Sequence, residues 1–395
     1  MLPYMQMVRS SWKAGCAFQG EFAVESIFIM EEKSYWVGFN LVRGIGAVRL
    51  KRLIETFGSA EAAWQASSLE WQMQGLSPRL CERLEAVRSS GALERVWEQI
   101  QKLGIQVLTW QDAAYPKRLR EIEQPPPVLY LRGEILPEDD FAVAIVGTRR
   151  VTPYGRQVTE EIASFLAAQG MTIVSGLARG VDGLAHLAAL RAGGRTIAVL
   201  GSGVDQIYPP EHRQLAEKIM EQGAVISDYP PGTPPEAANF PPRNRIISGL
   251  SQAVILTEAG ENSGALLTAE FAANQGREVF AVPGSIFAPQ SRGCNRLIQR
   301  GAQVLLDAAD LLPALALHRV DQEKTARRVL PADEMEGRIL SLLAQPTHID
   351  EISRQMQLPV EKVSATLVLM ELKGLVHQTG QMHYVAAREA QQSYL

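Results

Sequence analysis

The sequence is organised around a unit that recurs between residues 141 and 222: a short apolar run, a glycine-containing turn and an amphipathic segment. The first three apolar runs are Phe141–Val146, Met171–Val174 and Thr196–Leu200, and a glycine follows each of them within two residues. Apolar runs of this length that are bounded by glycine predict strands buried on both faces, as in a parallel sheet. The recurring unit therefore predicts an open α/β sheet with helices between its strands.

Further apolar runs extend the predicted sheet toward the C-terminus. The additional predicted strands are Ala224–Ser227, Ala253–Thr257, Glu278–Val282 and Gln303–Leu306. Helices are predicted between the strands, and the first of them has Thr152 as its N-cap and Pro153 in its first turn. Val128–Leu131 is predicted to be an edge strand, because prolines precede it and proline is confined to the edges of sheets.

The turns after the first two strands combine glycines with an arginine. Gly147-Thr-Arg149 follows the first strand, and Ser175-Gly176 follows the second, three residues before Arg179. In open α/β sheets, ligands bind beyond the carboxyl ends of the strands, where helix N-termini offer free N–H groups to anions. Both arginines could instead be ordinary surface residues, but these turns face the ligand crevice. The sequence therefore predicts a phosphate site that includes Arg149 and Arg179.

A proline-rich loop, residues 228–242, leads to a second group of candidate binding residues. Phe240 lies at the end of this loop, and Arg243, Asn244 and Arg245 follow it closely. Proteins that bind single-stranded nucleic acid combine cations along the backbone with aromatic side chains on which the bases stack. Phe240 is therefore a candidate stacking platform, or else a plug that packs the loop against the core.

Some charged residues in this region have structural alternatives to a functional role. Arg245 either supplies charge to the site or pairs with a buried carboxylate such as Asp182 or Glu258. Asp182 and His186 are four residues apart on a predicted helix and could form an acid–base pair. Because no nucleophile or metal ligand accompanies them, a local helix pair is the favoured interpretation.

Composition limits the classes of function. The 395 residues carry a net charge of −4 and a pI of about 6.0, so nucleic-acid binding must come from a local pocket rather than from overall attraction. Cys16, Cys81 and Cys294 form no CxxC or Cys/His cluster, which predicts a reducing compartment and no structural metal. A cytoplasmic location and no cofactor are expected. No apolar run reaches the roughly 18 residues of a membrane span.

The chain divides into five predicted segments. They are an N-terminal extension (1–33), a small helical domain (34–112), the sheet domain (113–313), a charged linker (314–333) and a C-terminal domain (334–390). The extension is predicted to be disordered or loosely docked, or to lie upstream of a start at Met30. The linker has no apolar pattern that could form a core.

The helical domain contains a helix–turn–helix pattern around Gly44-Ile-Gly46 and a poorer copy at residues 74–78. It resembles a SAM or helix-hairpin-helix domain, whose turn amides can contact a DNA phosphate. The alternative is that the glycines only allow two helices to pack closely, since short motifs of this kind often arise without the function.

Three predicted helices and a hairpin around Gly380 indicate a winged helix in the C-terminal domain. Its third helix carries Lys362 and Lys373 but also Glu361 and Glu371. A helix that reads DNA usually presents a basic face. A role in protein contact or packing is therefore favoured over DNA recognition.

Eight motifs, in order along the chain, resemble those of the bacterial DNA-processing proteins of the DprA (Smf) family. They are Ile145-Val-Gly-Thr-Arg149, Ile173-Val-Ser-Gly-Leu-Ala178, Asp182-Gly-Leu-Ala-His186, Thr196-Ile-Ala-Val-Leu-Gly201, Phe240-Pro-Pro-Arg-Asn-Arg-Ile-Ile-Ser-Gly249, Ser263-Gly264, Val282-Pro-Gly284 and Gly293-Cys-Asn-Arg-Leu-Ile298. The resemblance spans residues 140–307, and the flanking domains fit one architecture of that family.

This resemblance implies a Rossmann-like protein that is not an enzyme and that acts as a dimer. It implies that the protein binds and protects single-stranded DNA and helps to load the recombinase RecA during natural transformation. The pocket residues that it implies are Gly147, Thr148, Arg149, Ser175, Gly176, Phe240, Arg243, Asn244, Arg245, Ser263, Gly264 and Asn295. The family often has lysines just before the equivalent of Phe240, whereas this chain has Glu236-Ala-Ala-Asn239, which leaves the strength of the backbone contact open.

Two classes of enzyme are the alternatives. A nicotinamide dehydrogenase is disfavoured because the first turn, Gly147-Thr-Arg-Arg150, is not a GxGxxG sequence. The segment Glu258–Thr268 is similar to that of the lysine-decarboxylase-like phosphoribohydrolases, nucleotide-processing enzymes in which Glu258 or Glu261 would act on the glycosidic bond. Since the chain lacks their Pro-Gly-Gly-Gly-x-Gly-Thr turn, binding without catalysis is favoured.

Overall fold

The computed structural model describes residues 31–313, 334–343, 345–372, 375–380 and 382–386. Residues 1–30 of the predicted extension, with the proposed start at Met30, and the whole predicted linker (314–333) lie outside these ranges. Within the described ranges, no helix combines the length and the apolar character that crossing a membrane requires.

Short helices form the N-terminal part of the described chain. They are α1 (Glu32–Leu41), α2 (Ala47–Phe57), α3 (Ala60–Gln65), α4 (Ser68–Met73), α5 (Pro78–Ser89) and α6 (Ala92–Lys102). Local sequence sets their ends: Gly58 ends α2 in a left-handed conformation, and the Ser59 side chain caps α3 by accepting the N–H of Ala62. Both predicted helix–turn–helix hairpins are present, α1 with α2 and α4 with α5. Their contact with DNA stays a prediction.

Aromatic side chains hold these helices together and connect them to the sheet. The rings of Phe39 and Trp64 meet edge to face, with centroids 5.2 Å apart. Their buried cluster continues onto Val128 and Tyr130 of the central sheet. The helices and one face of the sheet therefore share a single apolar core.

A nine-stranded sheet forms the centre of the molecule. Its strands are β1 (Gln106–Thr109), β2 (Val128–Gly133), β3 (Ala142–Val146), β4 (Thr172–Ser175), β5 (Thr196–Val199), β6 (Gly223–Ser227), β7 (Ala253–Leu256), β8 (Glu278–Ala281) and β9 (Gln303–Val304). Their order is β1-β2-β6-β5-β4-β3-β7-β8-β9. The strands from β6 to β9 in this order are parallel, and β2 pairs antiparallel with both β1 and β6. The predicted mostly parallel α/β sheet is confirmed.

The predicted edge position of Val128–Leu131 is wrong. The strand that contains this run, β2, lies between β1 and β6 and pairs with both. The prolines precede β2 and therefore remove no hydrogen-bond donor from it, so a further strand can pair on its outer side. That outer strand is β1, which the sequence assigned to the helical domain; the domain boundary at residue 112 stays a prediction.

Helices cover both faces of the sheet. They are α7 (Lys117–Arg120), α8 (Pro153–Ala168), α9 (Val181–Arg191), α10 (Arg213–Gln222), α11 (Phe240–Leu250), α12 (Ala265–Asn274) and α13 (Arg292–Gln299). Side chains alternate along each strand. In β3, Val143 and Ile145 pack under α8 and α9, whereas Ala144 and Val146 pack under α11 and α12. The continuous apolar runs in the sequence reflect this burial on both faces.

The helix α11 begins earlier than the sequence predicts. The predicted loop extended to residue 242, but α11 starts at Phe240 and holds Pro241 and Pro242 in its first turn. The first N–H groups of a helix have no partner within the helix, so proline is tolerated there. Arg243 and its neighbours therefore project from a regular helix, which defines their directions.

The order of the strands reverses at β3. From β3 the chain proceeds to β4, β5 and β6 on one side, and it then returns to place β7 on the other side of β3. In open α/β sheets, such a switch point leaves a crevice at the carboxyl ends of the two strands, and ligands bind there. The turns after β3 and β7 are therefore the natural place for a site.

The C-terminal part forms a small separate core. It contains α14 (Glu334–Leu342), α15 (Ile349–Met356) and α16 (Val360–Leu372), with strands β10 (Thr347–His348), β11 (Val376–Gly380) and β12 (His383–Ala386). The three strands form an antiparallel sheet in the order β10-β12-β11. Ile352, Val363 and Leu367 are fully buried between the helices. The predicted winged helix is confirmed.

Candidate nucleic-acid interface

A cleft of about 600 Å³ opens at the switch point, beyond the carboxyl ends of β3 and β7. Many of the residues predicted from the sequence meet there. Those that line the cleft are Gly147, Thr148, Arg149, Phe240, Arg243, Asn244, Ser263 and Gly264. They come from three segments that are far apart in sequence, and the sheet order brings these segments together.

The turn after β3 is held tightly on both sides. The Thr148 N–H donates to the Glu258 carbonyl (2.7 Å), and the Thr148 carbonyl accepts the N–H of Val181 (3.2 Å). A Cβ on Gly147 would lie 2.6 Å from the Val181 side chain, so only glycine allows the turn to pass here. The fixed turn directs Arg149, whose side chain is exposed, to the mouth of the cleft.

Arg243 forms the buried base of the cleft. Its side chain is only 4% exposed, and its guanidinium donates to the carbonyls of Gly176 (2.9 Å) and Val199. Burial lowers the pKa of Arg243 to about 10, and the neighbouring Asp182 carboxylate opposes this shift. Arg243 therefore remains positively charged at neutral pH.

Asp182 is a buried carboxylate that interacts electrostatically with Arg243 at the base of the cleft. It is 7% exposed and accepts the N–H of Ala178 at 3.3 Å. Burial raises the pKa of Asp182, whereas the Arg243 guanidinium acts in the opposite direction. The two buried groups compensate each other, so the uncompensated positive charge of the cleft lies at its exposed mouth.

Phe240 lies between two cations. The Arg149 guanidinium is 5.6 Å from the centroid of its ring, and that of Arg243 is 5.9 Å away. One side of the ring packs near Tyr208, at 5.9 Å between centroids, and over Gly201 at the end of β5. The ring is half-buried. Phe240 packs against the end of the sheet and also lines the cleft, so its role as a stacking platform for a base stays a prediction.

The N-terminus of α12 forms the opposite wall. Ser263, Gly264 and Ala265 line the cleft at this point, and the Asn244 side chain donates to the Gly264 carbonyl at 3.4 Å. A helix N-terminus carries partial positive charge and favours anions. This wall is therefore compatible with a phosphate group.

Several predicted site residues lie outside the cleft lining. Ser175 is buried and donates to the Ile145 carbonyl at 2.6 Å. Gly176 lies beneath Arg243. Arg179 forms an exposed ion pair with Glu211. The Asn295 side chain bonds to both backbone groups of Gly284, at 3.0 and 3.1 Å. These internal partners leave any direct role of the four in binding as a prediction.

Arg245 follows the structural alternative, with a partner that the sequence did not identify. Its guanidinium donates to Asp228 Oδ2 at 2.8 Å, and both side chains are largely buried. The predicted partners Asp182 and Glu258 were wrong, because α11 turns Arg245 away from Arg243 and toward the end of β6. No local pattern in the sequence indicates this pairing.

Glu258 and Glu261, the two carboxylates that a phosphoribohydrolase would use, have other partners in the structure. Glu258 is buried and accepts the Thr152 N–H (2.8 Å) and hydroxyl (2.6 Å) at the start of α8. Glu261 is exposed and pairs with Arg296 at 3.3 Å. Neither belongs to the lining of the cleft. The geometry offers no support for either residue as a glycosidic catalyst.

Asp182 and His186 also take different partners. Nδ1 of the buried His186 lies 2.6 Å from the Thr196 hydroxyl, whereas Asp182 accepts the N–H of Ala178. Burial lowers the pKa of His186 to about 3, so its ring is neutral at physiological pH. Among the residues that the structure describes, no group of three or more His, Cys, Asp or Glu side chains could hold a metal ion.

The sequence reasoning missed part of the lining. The additional lining residues are Val146, Arg150, Ala178, Asp182, Ile247, Gly260, Asn262, Ala265 and Thr268. Arg150 has a signal in the sequence, since it lies in the same turn as Arg149. The sequence predicts Asp182 only as a partner of His186 or Arg245. The electrostatic interaction of Asp182 with Arg243 depends on the tertiary structure, because α9 and α11 cover opposite faces of the sheet and both residues reach the cleft.

Replacing Gly176 by alanine is expected to lower the free energy of unfolding by about 1–3 kcal/mol, as overpacking does in a tight core. The new Cβ would lie 2.5 Å from Arg243 Nη2 and 2.7 Å from Asp182 Oδ2. The matched control is Gly264→Ala, whose Cβ meets no atom within 4 Å. Denaturant unfolding followed by circular dichroism measures both variants, and equal stability of the two would contradict the expected close packing.

Comparison with known proteins places the chain in a family. The sequence profile of a family described as "DNA recombination-mediator protein A" matches residues 106–316, which is more than half of the chain. A second profile, described as "DprA winged helix domain", matches residues 323–381. The chain belongs to this DNA recombination-mediator family. The resemblance predicted from the eight motifs is confirmed, and membership assigns the chain a role in DNA processing and recombination.

Individual members of the DprA/Smf family support the assignment over most of the chain. Protein Smf from Synechocystis sp. is 38% identical over 391 residues, which cover 89% of this chain and 98% of the relative. DNA processing protein DprA from Bacillus subtilis is 44% identical over 224 residues, 56% of this chain and 75% of the relative. The X-ray structure of DNA processing protein A from Streptococcus pneumoniae superposes with a TM-score of 0.62 at 34% identity, covering 71% of this chain and 97% of that one. The Rossmann-like fold class is thereby confirmed.

Proposed function

We propose that the cleft binds single-stranded DNA and that the protein is a recombination mediator without catalytic activity. The observation that carries the proposal is the pair at the mouth of the cleft, where the exposed Arg149 lies 5.6 Å from the half-buried ring of Phe240. A cation for the phosphate and an aromatic face for the base are the two elements that single-strand binding needs.

A single strand suits this arrangement better than a duplex. Bases in a duplex are stacked on each other, so a ring can stack only with a base that is unstacked or flipped out. Phe240 sits inside a cleft and not on an open surface. Binding should therefore prefer the flexible strand, which can insert a base without a cost in base pairing.

In this proposal, few cations of the protein contact the phosphate backbone of the DNA. The segment Glu236–Asn239, where the family often has lysines, is short, carries no cation and does not line the cleft. Arg243 is compensated by Asp182, so Arg149 and Arg150 supply the free charge at the cleft mouth. Affinity should accordingly fall as salt rises, with a slope that reflects a small number of phosphate contacts.

The wider role that we propose is to protect incoming or processed DNA and to help load RecA, in natural transformation or another recombination process. A homodimer in the cytoplasm is part of this proposal. The two cysteines within the described ranges, Cys81 and Cys294, are buried free thiols, which suits a reducing compartment. In the winged helix, Val368 and Leu369 of α16 are exposed apolar residues, which favours protein contact over DNA reading.

The first test is a fluorescence-anisotropy titration of labelled single-stranded and duplex oligonucleotides at two salt concentrations. Tight, salt-sensitive binding that prefers the single strand is the expected result. Equal binding to both forms, or none, would reject the cleft as a single-strand site. A RecA filament assay on DNA coated with a single-strand-binding protein then tests loading. Release of free base from nucleoside monophosphates would instead favour the phosphoribohydrolase alternative.

Replacing Phe240 by alanine is expected to weaken single-strand binding about fivefold to a hundredfold, since stacking contributes about 1–3 kcal/mol per base. Phe240→Trp should retain most of the affinity, because it restores an aromatic face. The matched control is Phe287→Ala, which removes a ring that is 85% exposed and lies outside the cleft lining. If Phe240→Ala and Phe287→Ala bind equally well, Phe240 serves only to pack the loop.

A further inference from the structure

A second groove, of about 590 Å³, adjoins the cleft. It lies between α8, the start of α9, and α10, and it shares Arg149 and Arg150 with the cleft. Arg156 from α8 and Lys218 from α10 contribute further cations to its lining. We call this surface the basic groove and define it by Arg149, Arg150, Arg156 and Lys218.

Most of the positive charge in the basic groove is uncompensated. Within the part of the chain that the structure describes, Arg149, Arg150 and Lys218 have no ion-pair partner. Arg156 has only a long, exposed contact of 3.6 Å with Glu160. Exposed pairs of this kind contribute little and exchange readily for other partners.

The single carboxylate of the groove lining does not cancel this charge. Glu211 lines the groove, but it is already paired with Arg179, which is not part of the lining. In a protein with a net charge of −4, a run of free cations next to a ligand cleft is a local electrostatic feature that a polyanion would recognise.

Part of the groove is lined by small or apolar residues. Gly180, Gly183, Leu184 and Leu187 line the groove together with the cations. A Cβ on Gly183 would lie 2.6 Å from the His212 ring, so glycine keeps α9 and the segment before α10 close together. A shallow floor with cations on both walls fits a sugar–phosphate chain, whose charges lie outside and whose sugars are compact.

We propose that the basic groove carries the sugar–phosphate backbone of the same single strand whose base enters the cleft. The inference rests on the proposed function and extends it. Arg149 and Arg150 are adjacent in sequence and line both surfaces, so a strand that leaves the cleft passes directly over them into the groove. The strand then continues between Arg156 and Lys218.

The proposal predicts that substitutions in the basic groove affect the binding of long oligonucleotides but not of short ones. An oligothymidylate of about six nucleotides is expected to fill the cleft and its mouth, whereas one of about twenty also fills the groove. Lys218→Glu is expected to weaken binding of the long oligonucleotide about tenfold and to leave the short one unchanged. The salt dependence for the long one should decrease by about 0.7 in slope for each phosphate contact that is lost.

The matched control is Arg213→Glu. Arg213 is an exposed cation on the same helix, α10, but it does not line the groove. Both substitutions change the net charge equally, so a general electrostatic effect would weaken the two variants alike. Arg156→Glu, on the opposite wall, is a second variant and should match Lys218→Glu.

The outcomes distinguish this proposal from the proposed function. Equal losses for Lys218→Glu and Arg213→Glu, or equal losses for short and long oligonucleotides, would overturn the groove and leave the cleft intact. Failure of the unmodified protein to bind either oligonucleotide would overturn the proposed function itself. A loss that is confined to the long oligonucleotide and to the groove variants supports the path of the strand through the basic groove.

Discussion

Replacing Arg243 by alanine is expected to lower the free energy of unfolding by about 3–5 kcal/mol, the range found when a buried charge loses its opposite charge. The substitution leaves Asp182 buried without its cation and removes the donor to the carbonyls of Gly176 and Val199. Denaturant unfolding measures the loss. A variant as stable as the unmodified protein would show that the pair does not hold the base of the cleft.

The control for Arg243→Ala is a neutral replacement of both partners. The double variant Arg243→Met with Asp182→Leu should recover much of the lost stability, because two apolar side chains need no compensating charge. It should still bind DNA more weakly than the unmodified protein, since a cation has left the lining. The comparison therefore separates the contribution of Arg243 to folding from its contribution to binding.

The stability deficit of Arg243→Ala should also depend on pH. Burial already raises the pKa of Asp182 above its ordinary value of 3.8, and removing the Arg243 cation raises this pKa further. The folded variant then binds more protons than the unfolded chain between the ordinary value and the raised one. Its stability should fall as the pH rises through that window, and the deficit should be smallest at low pH.

Replacing Arg149 by alanine is expected to weaken single-strand binding about tenfold or more. A hydrogen bond to a charged group contributes about 1.5–3 kcal/mol, and the cation near the Phe240 ring is lost as well. Because Arg149 is exposed, the fold should remain intact. Anisotropy titrations at several salt concentrations should also show a slope smaller by about 0.7, since one phosphate contact is lost.

The matched control for Arg149→Ala is Arg191→Ala. Arg191 is an exposed cation at the C-terminal end of α9, so it lies at the edge of the sheet away from the cleft. The Arg191→Ala variant should bind single-stranded DNA with the same affinity as the unmodified protein. Unchanged affinity of a folded Arg149→Ala variant would contradict the assignment of the cleft, whatever the result for Arg243.

The strands and turns could be predicted because their signals are local. Ala142–Val146 is apolar at every position, since it is buried on both faces, and the glycine that follows must be glycine for lack of space. The same holds for the start of α8, where Thr152 and Pro153 provide the cap and the first turn. The winged helix followed from helix periodicity in the same way.

Partner choice among the arginines could not be predicted. Arg149 and Arg179 follow apolar runs, and Arg243 and Arg245 follow the proline-rich loop, so within each pair the two residues look alike in sequence. Whether each remains free, pairs on the surface or is buried with a carboxylate depends on which loop lies opposite. Even for Arg245, for which the sequence offers a structural role, the partner is Asp228 and neither of the two predicted carboxylates.

The sequence by itself determined the α/β fold class, the positions of the ligand-facing turns and the family. Periodicity, glycine spacing and helix caps act over a few residues, so they can be read along the chain. Only the tertiary structure decided the strand order, the internal place of β2 and the composition of the cleft. These depend on contacts between residues about a hundred positions apart, such as Thr152 with Glu258, and no local pattern encodes such contacts.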